Sequence, residues 1–284
     1  MSNLTRSKNQ KVYNNKNSKG TYLYFGVREH VMVAAMSGMS LHGGIIPYGG
    51  SFLIFTDYCR PSIRLASFMK IKAIYIMTHD SIGLGEDGPT HQPIEHLASL
   101  RSIPNLNVLR PADAIETLEC WETALNQSAP SVISLTRQDI PIVRNKNIFT
   151  NLSSQGAYII SETKKSKRDI TILATGSEVS IAIKAKEILE KKGVKVVVVS
   201  MPCWEIFDKK SEKYKENLLG PLNIRIAIEA ASKFGWSKYL KNDKCFLGME
   251  NFGASAPSED LFNHFGLNAK ELADLGSKII LKKK

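Results

Sequence analysis

One stretch of the chain concentrates groups able to handle a polar, charged molecule. Residues 79–91 read HDSIGLGEDGPTH and carry two imidazoles, three carboxylates and three glycines directly after an apolar run. Arg137 follows a second apolar run. Imidazoles bond hydroxyls and shuttle protons near neutral pH. A guanidinium takes phosphate oxygens in a bidentate way. Together the set suits a polyhydroxylated, phosphorylated substrate. A lone histidine in such a loop would point to ordinary surface capping; the density of groups points to a site.

Two further patterns are open to more than one reading. Glu29 stands in the first turn of a helix expected over residues 26–41, where the helix dipole alone favours a carboxylate. The same segment holds Ala34, Ala35, Ser37 and Gly38, small enough for close packing against another element or another subunit. Phe52, Phe55 and Tyr58 recur every three residues, which on a helix gives one face. Such a stripe builds a core or lines a cofactor pocket.

The elements that position these groups alternate between strand and helix, which predicts a parallel α/β architecture. Helices are expected over 26–41, ending at Gly43-Gly44, and over 52–70, kinked or interrupted at Pro61. A strand over 73–77 delivers the 79–91 loop. A helix over 93–102, a strand over 106–109, a helix over 113–126 and a strand over 132–135 follow, the last ending at Thr136-Arg137-Gln138. In open sheets of this kind ligands lie beyond the carboxyl ends of the strands, where both the loop and Arg137 stand. Residues 142–155 are polar and read as a linker. Beyond them a second α/β rhythm has strands over 170–174, 195–200, 224–229 and 245–249, a helix from Thr175-Gly176-Ser177-Glu178 to Lys192, and a helical end over 269–281. Glu178 reads as a helix-start cap.

The 284 residues suffice for one large or two ordinary α/β domains, and 43% hydrophobic with 23% charged residues predicts a packed core. No apolar run approaches the ~20 residues that span a bilayer. The Lys/Asn-rich start lacks the apolar middle of a secretory signal, so a cytoplasmic location is expected and no membrane partner. Cys59, Cys120, Cys203 and Cys245 are far apart and form no zinc or redox pattern. The net charge of +11 sits largely in Lys-rich ends, which reads as solvated surface and not as a nucleic-acid site.

These segments, in this order, resemble transketolase. The resemblance runs through Ser2-Asn3-Leu4-Thr5, Tyr24-Phe25-Gly26-Val27-Arg28-Glu29, Ser40-Leu41-His42-Gly43-Gly44, THDSIGLGEDGPTHQP over residues 78–93, Arg110-Pro111-Ala112-Asp113 and Thr136-Arg137-Gln138. It continues through Ala174-Thr175-Gly176-Ser177-Glu178-Val179, Val199-Ser200-Met201-Pro202 and Phe252-Gly253-Ala254-Ser255-Ala256-Pro257. A GEDGPTH core also occurs in deoxyxylulose-phosphate synthase; the THDSIGL flank is that of transketolase.

The resemblance implies two α/β domains with mainly parallel sheets: a pyrimidine-binding domain over 1–145, incomplete at its start, and a transketolase C-terminal domain over 156–284. It implies thiamine diphosphate as cofactor and transfer of a two-carbon ketol unit from a ketose phosphate to an aldose phosphate in the pentose phosphate pathway. Glu29 matches the glutamate that meets N1′ of the aminopyrimidine and favours its imino form. Phe52, Phe55 and Tyr58 match the aromatic lining of the aminopyrimidine pocket. His79 and Asp87 would bond sugar hydroxyls; His91 and Arg137 would meet the far end of the sugar and its phosphate, with Ser2 as a further phosphate contact. His79 and His91 join Glu29 as expected catalytic groups.

A complete transketolase also has a domain that holds the diphosphate through Mg2+ or Ca2+. No GDG-type metal motif occurs here, so no metal ligands are expected in this chain. The implied partner is a chain carrying the diphosphate-binding domain, in a homo- or hetero-oligomer, because family sites form between subunits. Two other readings are the β subunit of a 2-oxoacid dehydrogenase, and an inactive fragment or interaction module.

Overall fold

The computed structural model describes residues 6–144, 150–163 and 167–281. Ser2 lies outside the described residues. Helix α1 (Glu29–His42) buries Glu29, Met32, Val33 and Met36, spaced by three and four so that they share one face. It ends at Gly43, whose N–H bonds back to Met39 and Ser40. Strand β1 (Tyr48–Phe52) then runs into a 3-10 turn (Leu53–Phe55) and helix α2 (Thr56–Phe68). Strand β2 (Ile74–Thr78), helix α3 (His96–Arg101), strand β3 (Asn107–Leu109), helix α4 (Ala114–Asn126) and strand β4 (Ser131–Leu135) complete the first unit. Its four strands are all parallel, in the order β1-β2-β4-β3.

One expectation is corrected here, and the interruption expected at Pro61 does not occur. Phe52 is the last residue of a strand, not the first of a helix. The Tyr48-Gly49-Gly50-Ser51-Phe52 strand has little β-propensity of its own. Backbone pairing with the apolar strand β2 supplies its order. Pro61 lies inside α2 without ending it; in the second turn it removes a single backbone hydrogen bond.

The second unit opens with β5 (Tyr158–Glu162), an edge strand the sequence pattern did not disclose, antiparallel to β7. Strand β6 (Ile170–Ala174), helix α5 (Glu178–Lys191) and strand β7 (Val196–Ser200) follow. Next come α6 (Trp204–Phe207), α7 (Glu212–Leu219), β8 (Arg225–Ser232), β9 (Phe246–Met249), α8 (Ser258–His264) and α9 (Ala269–Leu281). The order is β5-β7-β6-β8-β9, parallel apart from β5. β6 and β7 are buried along their whole length, as continuous apolar strands covered on both faces must be.

The core of the first unit joins Met32, Val33 and Met36 to Cys59 and Ile63 of α2 and to Tyr75 and Met77 of β2. The second core is built around β6 and β7, with Leu189 and Leu272 from α5 and α9. All four cysteines are buried and unpaired. Among the described residues no helix is long and apolar enough to cross a membrane.

The two units join through backbone as well as side chains. Leu109 bridges to Cys203, Arg110 donates its N–H to the Pro202 carbonyl at 2.8 Å, and Gly176 donates to the Arg110 carbonyl at 3.1 Å. Inside this joint the fully buried Arg110 side chain donates to Asp80 at 2.8 Å and to Glu178. Glu229 accepts from both Arg101 nitrogens at 2.9 and 2.8 Å and from the Trp236 indole at 2.8 Å. Gly176 is required beside it: its φ is +62°, and a Cβ there would stand 2.6 Å from the Arg110 guanidinium carbon. Glu178 is therefore not a helix cap. It is fully buried and accepts from Arg110 and from the Ala230 N–H.

Candidate functional site

The parallel register brings the candidate residues to one edge. Phe52 pairs with Thr78 and Thr78 with Leu135, so β1, β2 and β4 end level with one another. His79 leaves β2 at that level, and Arg137 leaves β4 two residues beyond it.

The aromatic residues form a row across three consecutive local structures, and not along a single helix. Phe52 closes β1, Phe55 closes the 3-10 turn and Tyr58 lies in the first turn of α2. Phe52 and Phe55 stack at 5.7 Å with rings 7° apart, and Phe55 and Tyr58 at 5.9 Å and 23°. Each imidazole meets the row. His79 stacks on Phe52 at 3.7 Å, and His91 stands edge-on to Phe55 at 5.7 Å. Phe52 and Phe55 are half-buried and Tyr58 is 63% exposed, so the row has an open face.

His79 has a left-handed backbone, φ +60°, unusual for a residue with a Cβ and costing of order 1 kcal/mol. Its Nδ1 lies 2.8 Å from Thr78 Oγ1. Burial holds the His79 imidazole below its ordinary pKa, Arg137 pushes the same way, and Asp87 and Asp80 oppose them. The structure thus places Arg137 and Asp87 within electrostatic reach of His79. Both are exposed.

Glu29 is 8% exposed, on the buried face of α1 against α2. Its charge reaches Cys59, the neighbour of Tyr58: burial first and the Glu29 charge second push this thiol up to about 12. A buried carboxylate beside a stacked aromatic row suits a flat heteroaromatic ring whose nitrogen shares a proton. The aminopyrimidine of thiamine fits this donor set. Among the described residues no group of three or more His, Cys, Asp or Glu could hold a metal ion.

Several residues around the site were missed. Asp80, Gln92, Arg110, Glu178 and Ser255 tie the 79–91 loop to the second unit. Asp80 and Gln92 lie within the loop motif and Arg110 within Arg110-Pro111-Ala112-Asp113, but a long-range ion pair leaves no periodic trace.

The family model for the transketolase pyrimidine-binding domain matches residues 2–143, and the model for the transketolase-like C-terminal domain matches residues 156–268. A transketolase of Sinorhizobium medicae is 54% identical over 270 residues, which is 94% of this chain and 39% of that protein. The chain spans about two fifths of the length of the curated relatives it matches. A transketolase of Pichia stipitis, solved in complex with sedoheptulose 7-phosphate, superposes with a TM-score of 0.92 at 39% identity, covering 98% of this chain and 41% of that one. A structure described as a split-gene transketolase, an inactive β4 tetramer, superposes with a TM-score of 0.77 at 24% identity. It covers 92% of this chain and 85% of that one, a likeness of fold alone.

Proposed function

The chain belongs to the transketolase family, and from that premise we propose that it is one half of a thiamine-diphosphate-dependent ketol transferase. The two halves of the sequence, 1–145 and 156–284, serve as its pyrimidine-binding and C-terminal domains. The observation that carries this reading is the meeting of Phe52, Phe55 and Tyr58 with His79 and His91 at the level carboxyl ends of β1 and β2.

Thiamine diphosphate, when bound, supplies the nucleophilic carbon that accepts and releases the two-carbon unit. Glu29 would meet the pyrimidine nitrogen and hold a proton against it, with burial keeping water from that contact. The aromatic row takes the ring against its open face. His79, held neutral at physiological pH by burial and Arg137, is free to accept a proton from a sugar hydroxyl while Asp87 bonds a neighbouring hydroxyl. His91 and Arg137, with Ser2, hold the far end of the sugar and its phosphate, Arg137 in a bidentate fork.

The diphosphate and its Mg2+ or Ca2+ belong to a partner chain. Val27, just before α1, and Val31 and Leu41, on it, are exposed, apolar surface that a partner would cover. The pentose phosphate pathway and a cytoplasmic location follow from this reading.

The test is reconstitution. The chain is mixed with one carrying the diphosphate-binding domain, thiamine diphosphate and Mg2+, and two-carbon transfer between pentose phosphates is assayed beside oxoacid decarboxylation. Ketol transfer that needs both chains supports the reading. Decarboxylation alone, or no turnover with a folded partner, overturns it.

A further inference from the structure

The 79–91 loop is fastened to the second unit at its start, middle and end. At the start, Asp80 is 1% exposed and accepts from Arg110 Nε at 2.8 Å. The same guanidinium donates to Glu178 and, at 2.9 Å, to the Thr175 carbonyl. In the middle, Ser255 Oγ donates to the Glu86 carbonyl, next to Asp87. At the end, Gln92 Nε2 donates to the carbonyls of Gly85 and Ala254, both at 2.9 Å. A Cβ at Gly253 would lie 1.7 Å from Gln92 Oε1, so this fastening leaves no room for a side chain there.

These attachments bracket His79, Asp87 and His91. His79 stands between β2 and Asp80 in a left-handed conformation that nothing in its own strand requires. Asp87 follows directly on the carbonyl that Ser255 holds. We propose that the second unit is a positioning element of the sugar site: Glu178, through Arg110 and Asp80, together with Gln92 and Ser255, holds His79, Asp87 and His91 at the mutual placement that a polyhydroxylated phosphate ester requires. This rests on the substrate reading above. It gives the second unit a role in specificity, since misplacing such groups by about 1 Å can cost about 10²-fold in rate.

The test uses the full chain, labelled for NMR, with the two imidazole signals assigned through His79→Gln and His91→Gln. Ser255→Ala, Glu178→Gln and Gly253→Ala are compared with Glu119→Gln, which weakens the buried pair with Arg144 at 2.7 Å. The expected result is displaced His79 and His91 signals in the first three variants and unmoved signals in the fourth. In the reconstituted pair, Ser255→Ala should raise KM for the ketose phosphate about fivefold, the loss of one hydrogen bond, while leaving thiamine diphosphate affinity unchanged. Unmoved imidazole signals in Ser255→Ala, or equal movement in Glu119→Gln, overturn the proposal. Ser255 is exposed, so its variant decides the matter even if the other two fail to fold. Absence of ketol transfer by the unaltered pair would defeat the substrate reading instead, while the signals still report whether the second unit sets the loop.

Discussion

His79 stacks on Phe52 with ring centroids 3.7 Å apart because the parallel register of β1 and β2 sets Phe52 opposite Thr78. The contact joins a group expected to meet the sugar to one expected to meet the cofactor ring.

Phe52→Ala should therefore act twice. Losing the stack and part of a half-buried ring should lower stability by about 1–2 kcal/mol, read from urea unfolding. The same change should displace the His79 imidazole signal. A His79 signal unaffected by the truncation would mean that the stack does not hold the imidazole.

Glu29→Gln keeps the shape of the side chain and removes its proton affinity. The expected outcome is an unaltered melting temperature and a loss of transfer of about 10²-fold or more in the reconstituted pair. Near-normal transfer would remove Glu29 from the chemistry.

The pH dependence of stability has a definite sign at His79. Its folded pKa lies below its ordinary value, so the unfolded chain takes up a proton first as the pH falls. Its contribution is unchanged above about pH 6.5 and turns unfavourable below it. His79→Gln should flatten that part of the curve between pH 7.5 and 5.5 in paired urea titrations. An identical slope with and without the imidazole would contradict the assignment.

Arg110→Met should be severe. It would leave Asp80 and Glu178 buried without their cation and deprive Glu229 of a guanidinium 3.7 Å away. A loss of about 3–5 kcal/mol is expected by chemical denaturation, because uncompensated buried charge is the penalty. A loss below about 1 kcal/mol would show that the carboxylates are neutral when the arginine is gone.

Much of this was legible in the sequence where a pattern repeats. Helix α9 falls on the expected 269–281, and β2, β6 and β7 fall within a residue of expectation, because buried apolar strands and amphipathic helices announce themselves by composition and period. Strand β1 was not legible: two glycines and a serine in five residues signal a turn, and only the neighbouring ladder makes them a strand. The spacing of Phe52, Phe55 and Tyr58 was visible and their common face real, although three kinds of local structure build it instead of one helix. Glu29 owed its burial to Met32, Val33 and Met36 on the same face, which the first-turn reading left out. The Asp80–Arg110–Glu178 chain spans distant segments, and no local rule reports such partners.

The interlock at Leu109–Cys203 and Arg110–Glu178 has a thermodynamic consequence. Each sheet covers polar and charged groups of the other, so neither could open while its neighbour stayed intact without baring ions that have no water around them. The chain should melt in one calorimetric step, and neither sheet, expressed by itself, should give a sharp transition of its own.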